Sequence, residues 1–258
     1  MAELGVFTRP WTQWDAATAF DAIAAAGYDG VGLMQFGRTP VLWRETPPAE
    51  RTAVLEAIAG RSLRPLVNMI RLPLESSQEC AAALRAEIDL AAECHIPHLM
   101  SGGAGRPEQY PAFLDGCRLA APHAGERGVM LGVKPHGGIT LTSEDLLRCV
   151  AYVDSPAFGI WYDPGNLIYY AEQPSEWLLD DLIPHIVGIC VKDIKGGLHS
   201  DVNIEPGTGV CDLAGIFGRL RAAGVEAPYV VECLGGETRE QVLENARRTR
   251  ERLQTWLA

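Results

Sequence analysis

Eight short β-rich runs, each followed by a helix-like stretch, repeat along the chain without a break in composition. The runs lie near residues 4–8, 29–34, 64–69, 97–101, 129–134, 157–163, 186–192 and 228–232. Between them, apolar residues recur at helical spacing. Ala16, Phe20, Ile23 and Ala24 share one face, as do Cys80, Leu84, Ile88 and Ala91. Gly27 and Gly224 each close an Ala-rich segment just before a strand, as expected of a helix C-cap. Thr142-Ser143-Glu144-Asp145 supplies a hydroxyl cap and an acidic first turn for the fifth helix. Over 258 residues, this alternation predicts one α/β domain spanning 1–258, a single (β/α)8 TIM barrel. An open Rossmann-like sheet is the alternative, but no GxGxxG follows the first strand.

The formal net charge of −11 argues against a nucleic-acid backbone or an anionic membrane as partner. A local basic pocket for a small anion remains compatible with it. The opening MAELGVFTRP enters a strand at once and has no long apolar h-region, and no apolar stretch approaches the roughly 20 residues that span a bilayer. The seven cysteines are odd in number and form no CxxC pair, which fits reduced thiols and a cytoplasmic location. The partner expected is a small molecule, with assembly as a homodimer or homotetramer.

Four of the runs end in polar residues: Val129–Lys134 (VMLGVK), Phe158–Asp163 (FGIWYD), Ile186–Lys192 (IVGICVK) and Tyr229–Glu232 (YVVE). The C-terminal ends of the strands are where such a barrel keeps its chemistry. Lys134, Asp163, Cys190 and Glu232 thus form a candidate site with two anions and one cation. His136 follows the fifth strand, and Asn166 follows the sharp Asp163-Pro164-Gly165 turn, where helix capping competes with a ligand role. Lys192 and Asp193 are adjacent, so at most one of them faces the interior. Trp11, Trp14, Phe36, Trp43 and Trp161 lie near strand ends, suited either to stacking on a ligand or to packing. Gly102-Gly103-Ala104-Gly105 and Gly235-Gly236 offer backbone amides to an oxyanion or phosphate, or simply turn the chain. His95, His98, His123 and His185 read as structural, and His199 falls in the long 193–211 connection, whose length suits a lid or a ligand-binding segment, or a plain surface loop.

The segments GVKPHGG, IWYDPGN, VKD and EPGTGVCDLAGIFGRLRAAGVEAPYVVE resemble the xylose isomerase-like superfamily of sugar isomerases and epimerases. GVFTRPW and AAAGYDGVGL extend the likeness over nearly the whole chain. The resemblance implies a divalent metal (Mn, Mg, Zn or Co) held by Glu, Asp, His and Glu from strands five to eight. Asp163 and Glu232 match two of these ligands. Lys134 replaces the first Glu, in Lys134-Pro135-His136, and Cys190 replaces the His, in Cys190-Val191-Lys192-Asp193. At an effective dielectric near 20, an ammonium and a dication about 4 Å apart repel by roughly 8 kcal/mol. The expectation is therefore a metal-free or altered site, with Asp163, Glu232, His136 and Cys190 as the ligands of any shifted metal.

Sugar isomerisation or epimerisation removes a proton next to a carbonyl, which needs a base and a positive group for the enediolate oxygen. Glu232 is the expected base, and Lys134 and His136 serve the oxyanion or return the proton. Asp163 positions Lys134 or a metal, while Asn166, Lys192, Trp11 and Trp161 contact substrate. A lyase or dehydratase using the same enediolate, or an inactive sugar-binding barrel, are the alternatives.

Overall fold

The computed structural model describes residues 2–36 and 39–258. Eight parallel strands close in sequence order. They are β1 (Leu4–Phe7), β2 (Gly30–Leu33), β3 (Arg64–Met69), β4 (His98–Ser101), β5 (Met130–Val133), β6 (Phe158–Tyr162), β7 (Ile186–Val191) and β8 (Tyr229–Val231). Leu4 pairs with Tyr229 and Val6 with Val231, so β8 seals the barrel against β1. Each expected run falls on one of these strands. The helices packed outside are α1 (Ala16–Ala25), α2 (Pro48–Ala59), α3 (Ser77–Glu93), α4 (Tyr110–Arg127) and α5 (Ser143–Val153). They continue with α6 (Pro164–Ala171), the single turn α7 (Leu179–Leu182), α8 (Leu213–Ala222) and α9 (Arg239–Trp256).

Local chemistry sets the helix ends. Thr142 and Asp145 form a reciprocal capping box on α5, and Thr238 and Gln241 do the same on α9. Gly27 and Gly224 adopt φ of +86° and +72°, the left-handed turn that ends α1 and α8. Asp163 caps α6, with its Oδ1 accepting a bond from the Asn166 amide at 2.9 Å. That bond ties the end of β6 to the helix that follows.

The barrel interior is filled by Phe7, Leu66, Val67, Met100, Trp161, Cys190 and Val230. Trp161 is fully buried there. A Cβ at Gly188 would lie 2.2 Å from its ring, so the glycine opposite Trp161 in the β6–β7 register makes the space for the indole. This corrects the expectation that Trp161 stacks on substrate, because the ring points into the packed core. Trp11, also fully buried, joins the outer core and does not reach the cavity. Trp14 packs under Arg239 and Trp43 under Arg44.

The 193–211 connection is strapped down. The Asp193 carboxylate accepts bonds from the amides of Ile194, Gly207, Gly209 and Cys211 at 2.7–3.1 Å. Glu205 then binds Arg248 and Arg252 on α9. The connection is a closed loop, of which Val202 borders the cavity.

Candidate active site

A cavity of about 540 Å³ opens at the C-terminal ends of the strands. Lys134, His136, Asn166, Lys192 and Glu232 all line it, as do Arg9 after β1 and Tyr170 on α6. Asp163 is fully buried and meets the cavity through its ion pairs with Lys134 and Lys192.

Lys134 stands at the centre. Its Nζ lies 2.9 Å from Asp163 Oδ2 and 3.6 Å from Cys190 Sγ, and it also bonds Glu232 Oε2. Its hydrogen bonds run to Cys190 and Glu232, and Asp163 Oδ2 is held as an ion pair. Burial opposes charge on Lys134, but Cys190, Glu232 and Asp163 outweigh it and hold the amine well above its ordinary range.

Glu232 receives cations on both oxygens. Lys134 and the Cys190 thiol, at 3.1 Å, meet Oε2. Lys192 donates to Oε1 at 3.1 Å, with Arg9 3.9 Å away. Burial pushes this carboxyl up, yet Lys134, Lys192 and Arg9 prevail and hold it well below the usual carboxylate range. Burial raises the Cys190 and Cys233 thiols, which favours their neutral form. Lys192 points inward while Asp193 points into its own loop, as strand alternation requires. The Lys192 amine makes one hydrogen bond, to Glu232, and lies 3.9 Å from Asp163 Oδ2, so it has N–H capacity left for a ligand.

His136 Nε2 lies 3.2 Å from the Tyr170 hydroxyl. The His136 side chain is exposed at the cavity mouth; partial desolvation by the surrounding wall, then the nearby Lys134, lowers the imidazole below its ordinary value and favours its neutral form near pH 7. Asn166 borders the cavity, but its amide nitrogen is committed to the Pro135 carbonyl at 2.6 Å. Gly102, Gly103 and Gly105 form part of the wall, whereas Gly235 and Gly236 lie away from it.

Arg9 and Tyr170 escaped the sequence reading. Arg9 was open to the same rule that found the others, since it follows a barrel strand. Tyr170 lies four residues beyond Asn166, one helical turn further along the same face.

Among the described residues, Asp163, Cys190 and Glu232 bring ligand-type atoms within 4.8 Å of one another. Their shared centre is where the Lys134 ammonium sits. A divalent ion does not fit this arrangement, because it would meet a fixed cation in the volume it needs. His136 does not join these three donors, and its Nε2 faces Tyr170 instead.

The chain is 27% identical over 207 residues to an L-ribulose-5-phosphate 3-epimerase, UlaE, of Salmonella paratyphi C, covering 74% of this chain and 72% of that one. It is 27% identical over 141 residues to an inosose dehydratase of Geobacillus thermodenitrificans, covering 48% and 47%. A xylose isomerase-like TIM barrel protein of Mycobacterium smegmatis, solved in complex with magnesium, superposes with a TM-score of 0.77 at 16% identity, over 100% of this chain and 98% of that one. The model of the xylose isomerase-like TIM barrel family matches residues 20–257, and the chain belongs to that family.

Proposed function

We propose that the protein removes a proton next to the carbonyl of a sugar, or a related polyhydroxy carbonyl compound, and stabilises the resulting enediolate. The charge of the buried cluster carries this reading. Among the described residues, Asp163 and Glu232 are the carboxylates that pair with Lys134, Lys192 and Arg9, while Arg9 and Lys134 also bond the Cys233 and Cys190 sulfurs; with both thiols neutral, one positive charge is left to be met. An enediolate oxygen brings one negative charge, which a donor already fixed in place stabilises without reorganising.

His136 is the base in this mechanism, in preference to Glu232. A carboxylate held by two ammonium groups and a guanidinium has little affinity for a proton, whereas a neutral imidazole at the cavity wall accepts one readily. The C–H electron pair moves into the new C=C bond, and the carbonyl pair moves onto oxygen. Lys192 receives that oxyanion. Return of the proton to the former carbonyl carbon, with the hydroxyl proton passing from one enediolate oxygen to the other, gives isomerisation; delivery of a solvent-derived proton to the opposite face of the original carbon, with His136 keeping the one it removed until it is lost to solvent, gives epimerisation. The likeness to the UlaE epimerase supports this class.

Loss of a hydroxyl from the same enediolate, a dehydration, is the second reading, favoured by the likeness to the inosose dehydratase. Both share the first step, so solvent deuterium incorporation next to the carbonyl tests them together, and product analysis separates them. Compounds that bind without exchange would refute both.

A further inference from the structure

We infer that Lys134 is this chain's own tethered replacement for the divalent cation of its family, filling a donor set that would otherwise take a metal. Its catalytic meaning rests on the enediolate reading above, while its consequences for metal binding do not.

The geometry supplies the argument. Asp163, Cys190 and Glu232 come from the ends of three successive strands and converge as metal ligands do. Metals of the zinc type hold such oxygen and sulfur atoms at about 2.0–2.3 Å. The Lys134 nitrogen approaches the same three atoms at hydrogen-bonding distances, 2.9 Å to Asp163 Oδ2 and 3.6 Å to Cys190 Sγ, and it bonds Glu232 as well. Ion and ammonium therefore claim one volume. A lysine that merely neutralised a decayed site needs only one carboxylate partner. This one engages every donor, with its whole side chain buried. Lys192 and Arg9 flank Glu232 on its other oxygen, so the cluster keeps its cations without an added ion. In this arrangement Lys134 is a positioning residue. It fixes Asp163 and Glu232, and Glu232 in turn holds Lys192 toward the ligand.

Removing the amine should expose the latent site. Wild type, Lys134→Gly, Glu232→Gln and Lys134→Gly/Glu232→Gln are dialysed against Mn2+ and, separately, Zn2+. Retained metal is read by elemental analysis and affinity by calorimetry. Wild type is expected to retain no stoichiometric metal. Lys134→Gly should bind one ion per chain, about 100-fold tighter than wild type or better, and Glu232→Gln should abolish that binding. A wild type holding one ion per chain that is lost in Glu232→Gln overturns the inference, and so does a folded Lys134→Gly that binds none. If Lys134→Gly fails to fold, Lys134→Glu carries the same test by adding a donor in place of the amine. Metal uptake needs no substrate, so absent deuterium exchange alongside these results would overturn the proposed function alone.

Discussion

Lys134 Nζ lies 2.9 Å from Asp163 Oδ2, with both side chains sealed from solvent at the ends of neighbouring strands. The same nitrogen bonds Glu232 across the barrel mouth. One amine thus joins three strand ends, β5, β6 and β8.

Cutting one member of such a buried set leaves uncompensated charge, which costs about 3–5 kcal/mol. Lys134→Met is expected to lose that much stability in urea unfolding. Lys134→Met/Glu232→Gln is expected to lose less than the two single changes added together, because the second change removes a carboxylate that the first stranded. Strict additivity would show that the two side chains do not interact.

The acid limb of activity should belong to His136. Partial desolvation at the cavity wall and Lys134 hold its imidazole below the ordinary 6.5, so exchange should be level at neutral pH and fall only as pH drops below that value. Glu232 sits well below 4.5 and Lys134 well above 10.5, so neither titrates in between. His136→Gln is expected to lose about 10²–10⁴-fold in rate and to lose the limb with it. A His136→Gln variant that keeps both rate and limb would return the role of base to Glu232. Stability has its own sign. The depressed Glu232 contributes fully above pH 4.5, and that contribution is lost as pH falls through its lower folded value.

Asp193 gathers four amides of its own loop. Charge-assisted hydrogen bonds contribute about 1.5–3 kcal/mol each at most, and a loosened loop recovers part of that in water. Asp193→Ala is expected to cost about 2–4 kcal/mol and to open residues 194–210 to proteolysis. Unchanged protease resistance would mean that the loop is held elsewhere.

Much of this was legible in the sequence. Strand positions follow from buried β-rich runs closed by glycine and by hydroxyl or acidic caps, and those signals are local. Asp163, Glu232 and Lys192 were legible for the same reason, since a polar residue ending such a strand has few places to point. The tryptophans were not. Whether Trp161 faces the cavity or the core depends on the β6–β7 register, which sets it opposite Gly188. The assignment of Glu232 as base also needed distances. Only the arrangement in space reveals that three cations crowd one carboxylate.

The most direct test is solvent deuterium incorporation into a panel of keto sugars and keto-sugar phosphates, followed by NMR in chelator-treated buffer. Wild type and Lys192→Met are compared. The expected result is exchange at the carbon beside the carbonyl in wild type without added metal, reduced about 10²–10³-fold in Lys192→Met, the scale of losing one oxyanion donor. Exchange that appears only on adding a divalent metal, or that is equal in the two proteins, would contradict the account.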